Sequence, residues 1–209
     1  ETVPSGAVAA PGDAALGTVY GALASCFEQP DDDVYEALST GRLTAEFEDL
    51  LDRSDLDVSV PRLETEDDPT LLEARFNDLF AVGYPDPPVS RYESDHVDGN
   101  WNDVNLDLTR LYEYFDVAVD TDQRDHPDFL VYELEFAGYL ARLAAAGEDD
   151  ARRARADFLD RHLKPFLEGM AAATEDERET GVYGALVEFA VAFVATDLAA
   201  LREAAGETP

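Results

Sequence analysis

Lysine is nearly missing from this chain of 209 residues: of its 15 basic residues only Lys164 is a lysine, and the others are arginines. Against them stand 47 acids, 27 of them Asp, for a net charge of -32. A chain so short of cations cannot neutralise a run of phosphates, which excludes duplex nucleic acid as a partner. Cysteine is confined to Cys26, so no internal disulfide and no cysteine-based zinc site can form, and a reducing compartment is expected. Histidine occurs three times, at His96, His126 and His162. Glycine-rich phosphate loops, Gly-x-Ser-x-Gly and His-Glu-x-x-His are all absent. The most apolar stretch, Val182 to Leu201, is interrupted by Glu188 and Asp197. A membrane span needs about twenty apolar residues, so this stretch reads as a buried helix of a soluble protein without stable membrane association. The opening ETVPSGAVAAPG lacks the basic start and apolar centre of a signal peptide and reads as a disordered leader, residues 1–12.

What the chain does contain is enough apolar residue, 45%, for a substantial core despite its charge. The acids are spread along the whole length rather than gathered into a cation site. Self-repulsion at this density is relieved when molar salt shortens the screening length to about 3 Å. The composition therefore points to a halophilic source with a salty cytoplasm. Helical periodicity predominates, and no β-hairpin signal appears. The spacing of Leu16, Val19, Tyr20, Leu23 and Phe27 predicts a helix from Asp13 to Glu28, stopped by Pro30. Asp31 to Asp33 open a second, ending near Gly41, because acids suit the positive end of a helix. Residues 43–53 form a third, and 54–68 read as a connection with a short helix. A helix over 69–82 is closed by Gly83. Others follow at 103–117, after "DTDQRDHP" up to Gly147, over 149–173 with a kink at Pro165, and over 176–204. Seven or eight helices with short connections predict one all-α helical bundle, residues 13–209.

Chemistry-bearing groups are few. His96 and His126 lie beside aspartates in "DHVD" and "DHPD", which leaves open a helical metal-dependent hydrolase as an alternative. The second tetrad also has a plain helical reading: Asp125 as N-cap, Pro127 in the first turn, Asp128 opposing the dipole. Glu133 falls among Phe129, Leu130, Phe136 and Ala137 at helical spacing. It either reaches solvent at a groove or has a buried partner, since an unpaired buried charge is costly. In "YPDPPVSRYES", Pro85, Pro87 and Pro88 stiffen a crossing between helices. Tyr84, Tyr92 and Trp101 nearby are loop aromatics that pack or bind.

Three segments in order, "FNDLFAVGYPDPPVSRYES", "HPDFLVYELEFAGYLARL" and "FLDRHLKPFLEGM", resemble the TorD/DmsD/NarJ family of all-helical redox-enzyme maturation chaperones. They match its proline-rich turn with Tyr-Glu-Ser, its Pro-Asp-His-Leu followed by Glu-Leu-Glu-Phe, and its His-Leu followed by Pro. The resemblance implies a cytoplasmic, non-enzymatic chaperone without a cofactor of its own, monomeric or weakly dimeric. It implies as partner the apo catalytic subunit of a molybdopterin oxidoreductase of the DMSO, TMAO or nitrate reductase type. Its twin-arginine signal peptide would be held until the cofactor is inserted and export by the twin-arginine pathway can follow. Carried over by position, Tyr84, Tyr92, Glu93, Ser94, Pro127, Asp128, Phe129, Leu130 and Glu133 would form the signal-peptide-binding surface. Two positions depart from the pattern: Phe129 stands where the family has histidine, and Arg91 where proline is common.

Overall fold

Helix starts follow the capping chemistry that the sequence offers. The structure is a computed structural model that describes residues 11–119 and 126–206. Its first helix, α1 (Pro11–Cys26), begins two residues before the expected Asp13; residues 1–10 of the expected leader lie outside the described residues. Asp31 caps α2 (Asp32–Ser39), its Oδ1 accepting from the Val34 N–H at 2.9 Å. Gly41, at φ 70°, turns the chain into α3 (Arg42–Ser54). Residues 55–68 contain no helix and run as an irregular connection. Asp68 caps α4 (Pro69–Phe80) through the Leu71 N–H at 3.0 Å, with Pro69 where a missing N–H costs nothing. This helix ends at Phe80, before the expected stop. Gly83 serves the turn beyond it instead, because a Cβ there would stand 2.0 Å from the Asp86 carbonyl oxygen.

A 3-10 turn (Glu93–Asp95) precedes α5 (Trp101–Tyr114), which Asn100 caps through the Asp103 N–H at 3.1 Å. The sixth helix, α6 (Leu130–Ala145), begins at Leu130 rather than at the "DHPD" tetrad. Asp128 is therefore outside the helix, and Asp125 lies outside the described residues. From Asp149 to Glu175 the chain is helical without a break: α7 (Asp149–Phe158), a π-helical turn (Leu159–Leu163) and α8 (Lys164–Glu175). The π turn sits just before Pro165, and the Lys164 N–H reaches back five residues to the Leu159 carbonyl. The ring lacks the N–H that the regular ladder needs, and the wider turn absorbs the fault that sequence reasoning assigned to a kink. The last helix, α9 (Val182–Ala204), starts after Gly181, at φ 55°, six residues later than expected. The fold is all-α, and among the described residues no strand longer than one bridge occurs.

The core forms where α1, α3, α4, α6, α8 and α9 turn their apolar faces together. Helices α1 and α6 cross most closely at Gly17 and Gly138, where an added Cβ on either would meet the other's carbonyl at 3.0 Å. Ring pairs knit the rest: Phe47 against Phe189 at 5.0 Å, Tyr20 against Phe193 at 4.7 Å, and Phe80 against Tyr183 at 5.5 Å. Cys26, the last residue of α1, is buried, and burial with the nearby Glu46 charge pushes its thiol up to about 12. By length and composition α9 is apolar enough to cross a membrane. Its apolar residues, from Val182 through Leu201, are spent on this core.

Asp197, which interrupts that apolar run, is matched inside the protein. The buried Arg155 Nη2 donates to Asp13 Oδ1 at 2.8 Å and to Asp197 Oδ1 at 3.1 Å, and the Tyr20 hydroxyl donates to Asp197 Oδ2 at 2.7 Å. One guanidinium thus ties α1, α7 and α9. Removing one member of such a buried network strands the others' charges, at a cost of about 3–5 kcal/mol. Asp197→Ala is expected to lose that much in urea unfolding at molar KCl. A loss below about 1 kcal/mol, the scale of an exposed ion pair, would show that this network does not hold the three helices.

Candidate functional site

The two halves of the expected site meet through backbone. Glu93 N–H donates to the Asp128 carbonyl and Leu130 N–H donates to the Arg91 carbonyl, each at 2.9 Å, so Tyr92 and Phe129 form an isolated antiparallel bridge. The second bond satisfies an N–H at the start of α6 that no side chain caps. Ser94 completes the clasp. Its hydroxyl donates to Asp128 Oδ2 at 2.6 Å, and its N–H approaches the same oxygen at 3.3 Å. The Tyr112 hydroxyl, from α5, donates to the Pro127 carbonyl at 3.0 Å.

Beneath the clasp the acids point inward. Glu93, Asp128 and Glu133 are buried at 2%, 0% and 0% exposure, and Leu130 is buried with them. Glu93 sets both carboxylate oxygens 3.1 Å from His162 Nδ1 on the π turn, and His162 Nε2 faces Asp107 Oδ2 of α5 at 3.2 Å. Phe158 stacks on the imidazole at 5.7 Å. Arg161 pairs with Asp107 and with Asp157, closing the cluster toward solvent. Neither oxygen of Glu133 receives a hydrogen bond from a donor among the described residues. Burial above all, and then Glu93 by charge and hydrogen bond, with Asp128 behind it, holds the Glu133 carboxyl well above the usual range. The protonated acid has its own O–H to give, and Glu93 is the neighbour placed to accept it. Tyr112 is pushed up as well, mainly by burial and then by these same acids.

Above the clasp a row of rings runs from the surface at Trp101 to the buried Phe129. Trp101, 47% exposed, meets exposed His126 at 5.1 Å; His126 meets Tyr92 at 6.3 Å; Tyr92 meets Phe129 and Phe129 meets Tyr132, each at 5.4 Å. This aromatic ladder opens onto a groove of about 600 Å³ between α1 and α6, lined by Tyr112, Phe129, Tyr132, Phe136 and Tyr139 among others. The two departures from the resemblance touch. The Arg91 guanidinium lies 4.9 Å over the Phe129 ring and 5.0 Å over Phe76, and its Nη1 donates to the Phe27 carbonyl at 2.8 Å.

Of the nine expected residues the fold brings eight together. Tyr92, Ser94, Pro127 and Phe129 border the surface layer, while Glu93, Asp128, Leu130 and Glu133 lie beneath it. Glu133 thus resolves to the buried alternative, beside another acid. Tyr84 stands apart, fully exposed on the proline-rich turn. Glu93, Asp128 and Glu133 do not present their carboxyls on a binding surface, because those carboxyls face the interior. His162, Asp107 and Tyr112 were not among the expected residues. His162 lay in plain view in "RHLKPF", whereas nothing in the α5 sequence marks Asp107 as its partner. The two histidines of the hydrolase alternative do not converge on a common site. His96 Nε2 faces the Ser90 carbonyl at 2.8 Å with its ring against Phe166, and His126 lies on Trp101. Among the described residues no three His, Cys, Asp or Glu side chains gather as a metal would need.

Residues 36–172, which include all three family-like segments, match the family described as nitrate reductase delta subunit. A chlorate reductase assembly chaperone from Ideonella dechloratans is 34% identical over 160 residues, 73% of this chain and 73% of that protein. A perchlorate reductase assembly chaperone from Dechloromonas aromatica is 30% identical over 190 residues, 84% and 85% of the two chains. A selenate reductase assembly chaperone from Thauera selenatis is 39% identical over 103 residues, 46% of this chain and 53% of its own. Among solved structures, one described as a redox enzyme maturation protein from Archaeoglobus fulgidus superposes with a TM-score of 0.53. It is 17% identical and covers 93% of this chain and 98% of its own, a likeness of fold.

Two outcomes follow from the clasp. The fold keeps Glu133 protonated where the unfolded chain would ionise it, so between the ordinary glutamate pKa and the raised one unfolding releases a proton. Rising pH weakens the fold through that window, and above it this group adds no further loss. Glu133→Gln mimics the protonated acid and escapes the penalty. Its stability relative to the parent should climb as pH rises above the ordinary glutamate range, by up to about 1.4 kcal/mol per unit. A difference that stays flat with pH would contradict the assignment. Separately, a double-mutant cycle of Arg91→Ala and Phe129→Ala should return a coupling of about 1 kcal/mol for the stacked cation; strictly additive losses would mean the two departures are independent.

Proposed function

The chain belongs to the nitrate reductase delta subunit family, the NarJ/TorD-type redox-enzyme maturation chaperones, and on that premise we propose that it is a non-catalytic assembly chaperone for a molybdopterin oxidoreductase catalytic subunit. It holds the client's N-terminal twin-arginine segment in the cytoplasm until the cofactor is in place and export can begin. The observation that carries this reading is the aromatic ladder from Trp101 to Tyr132, exposed at Trp101 and His126, half-buried at Tyr92 and Tyr132, fixed by the clasp and opening on a groove. Aromatic side chains spare the entropy of ordering when a flexible segment docks, and such rings supply most of the binding energy at peptide sites. Tyr92 and Phe129 make the client contacts, with Tyr84 reaching the segment from the turn. Pro127, Asp128, Leu130, Glu93, Ser94 and Glu133 hold those rings in place. The relatives' role as assembly chaperones for chlorate, selenate and perchlorate reductases supports a reductase as client. The surplus of acid supports a cell with molar internal salt, where apolar contacts outlast exposed ion pairs. The chain works as a monomer or weak homodimer.

Titration calorimetry in molar KCl against the N-terminal peptide of a molybdopterin oxidoreductase catalytic subunit is the test. The peptide should bind and a scrambled version should not. Tyr92→Ala should weaken binding about tenfold, the 1.4 kcal/mol expected of a mid-strength anchor, with helical circular dichroism unchanged. Equal binding of the scrambled peptide would overturn the reading.

A further inference from the structure

The groove beside the ladder carries two acids among its aromatic residues. Glu28 follows the C-terminal end of α1, and Glu135 projects from α6; both are exposed and both line the groove with Phe129, Tyr132 and Tyr139. Unpaired acids are common on so acidic a surface, and by themselves they mean little. These two differ in facing each other across rings. Among the described residues neither has a cation within ion-pair distance, although many exposed arginines of this chain are paired, such as Arg42 with Glu46 and Arg53 with Asp49. Among the described residues the cation of the groove wall is Arg142, which gives its Nη1 to the Gly17 carbonyl at 3.2 Å, at the α1–α6 crossing. Burial, and then the charge of Glu28, raises the Glu135 carboxyl, with Arg142 offsetting part of the effect. Among the described residues the groove therefore holds a repulsion that a cationic guest would relieve.

The shape of the site selects among cations. A groove lined by rings suits a planar guanidinium, which stacks on a π face while its fork of N–H groups meets carboxylates. An ammonium is a compact, strongly hydrated point charge that gains less from the same rings. A solvated potassium ion gains still less. We propose that this groove is the seat of one arginine side chain of the client segment, its guanidinium between Glu28 and Glu135 and its apolar neighbours on Phe129, Tyr132 and Tyr139. The seat deepens the chaperone reading and rests on it: the ladder gives affinity for an apolar segment, and the acid pair adds the requirement for arginine.

Competition calorimetry in molar KCl separates the two ideas. The probes are the client's N-terminal peptide and versions with its arginines changed to glutamine or to lysine. The titrands are the parent protein and the variant Glu28→Gln/Glu135→Gln, two exposed sites whose change leaves the core intact. The parent should prefer the arginine peptide over the glutamine peptide by about tenfold, with the lysine peptide between them. In the variant that preference should fall below about twofold while the glutamine peptide binds as before. If the parent binds all three peptides equally, or if the variant keeps the full preference, the arginine seat is wrong although the client reading stands. If no peptide binds better than its scramble, both are wrong.

Discussion

Two backbone hydrogen bonds, Glu93 to Asp128 and Leu130 to Arg91, join segments some 35 residues apart, and most of the site hangs on them. They decide where α6 begins, because the Arg91 carbonyl takes the N–H that a cap would otherwise take. They set the half-buried Tyr92 ring against the buried Phe129 ring and send Glu93 and Asp128 inward. The prolines before Ser90 bring the chain to this crossing already stiffened, so little freedom remains to be lost when a partner docks. A flexible loop carrying the same tyrosine would have to be ordered at each binding event.

Beneath the crossing lies an arrangement that is expensive in isolation. Three buried carboxyls and a histidine occupy a small volume, and a low-dielectric interior does not tolerate three negative charges together. Protonation of Glu133 removes one, and His162 and Ser94 bond the other two. The result connects the turn at Glu93, the start of α6, the helix α5 and the π turn before Pro165. The family-like segments are thus linked in space by one polar knot. A second buried knot, Arg155 with Asp13, Asp197 and Tyr20, fastens the opposite side of the bundle in the same manner. In a chain with 47 acids, these few buried ones do structural work and the exposed ones answer to solvent salt.

The helices were largely readable from periodicity, since Leu43, Phe47, Leu50 and Leu51 or Leu72, Phe76, Leu79 and Phe80 can share a face only in a helix. Acidic caps at Asp31 and Asp68 were equally plain. Boundaries failed where tertiary bonding replaced local signals. "DHPD" carries the residues of a capping motif, yet α6 starts after it because Arg91 supplies the acceptor. The π turn was invisible, although Pro165 marked its place. In the site, Glu133 was noticeable as a carboxylate on an apolar helix, but whether it met solvent or a partner depended on Glu93, forty residues earlier. His162 and Asp107 pair across 55 residues, and no local pattern announces such a contact. The likeness to known segments picked stretches of chain that the fold brings together and could not tell which side chains face out.

Hydrogen exchange of the protein alone and in complex with its client's catalytic subunit, in molar KCl, addresses the central claim most directly. That claim is that the clasp presents an aromatic ladder to which the client binds. Slower exchange on complex formation should be confined to residues 91–94, to the start and outer face of α6, and to the groove-lining stretch 112–119. Protection at the opposite face around Arg152, Arg153 and Arg202, with the ladder unchanged, would contradict it.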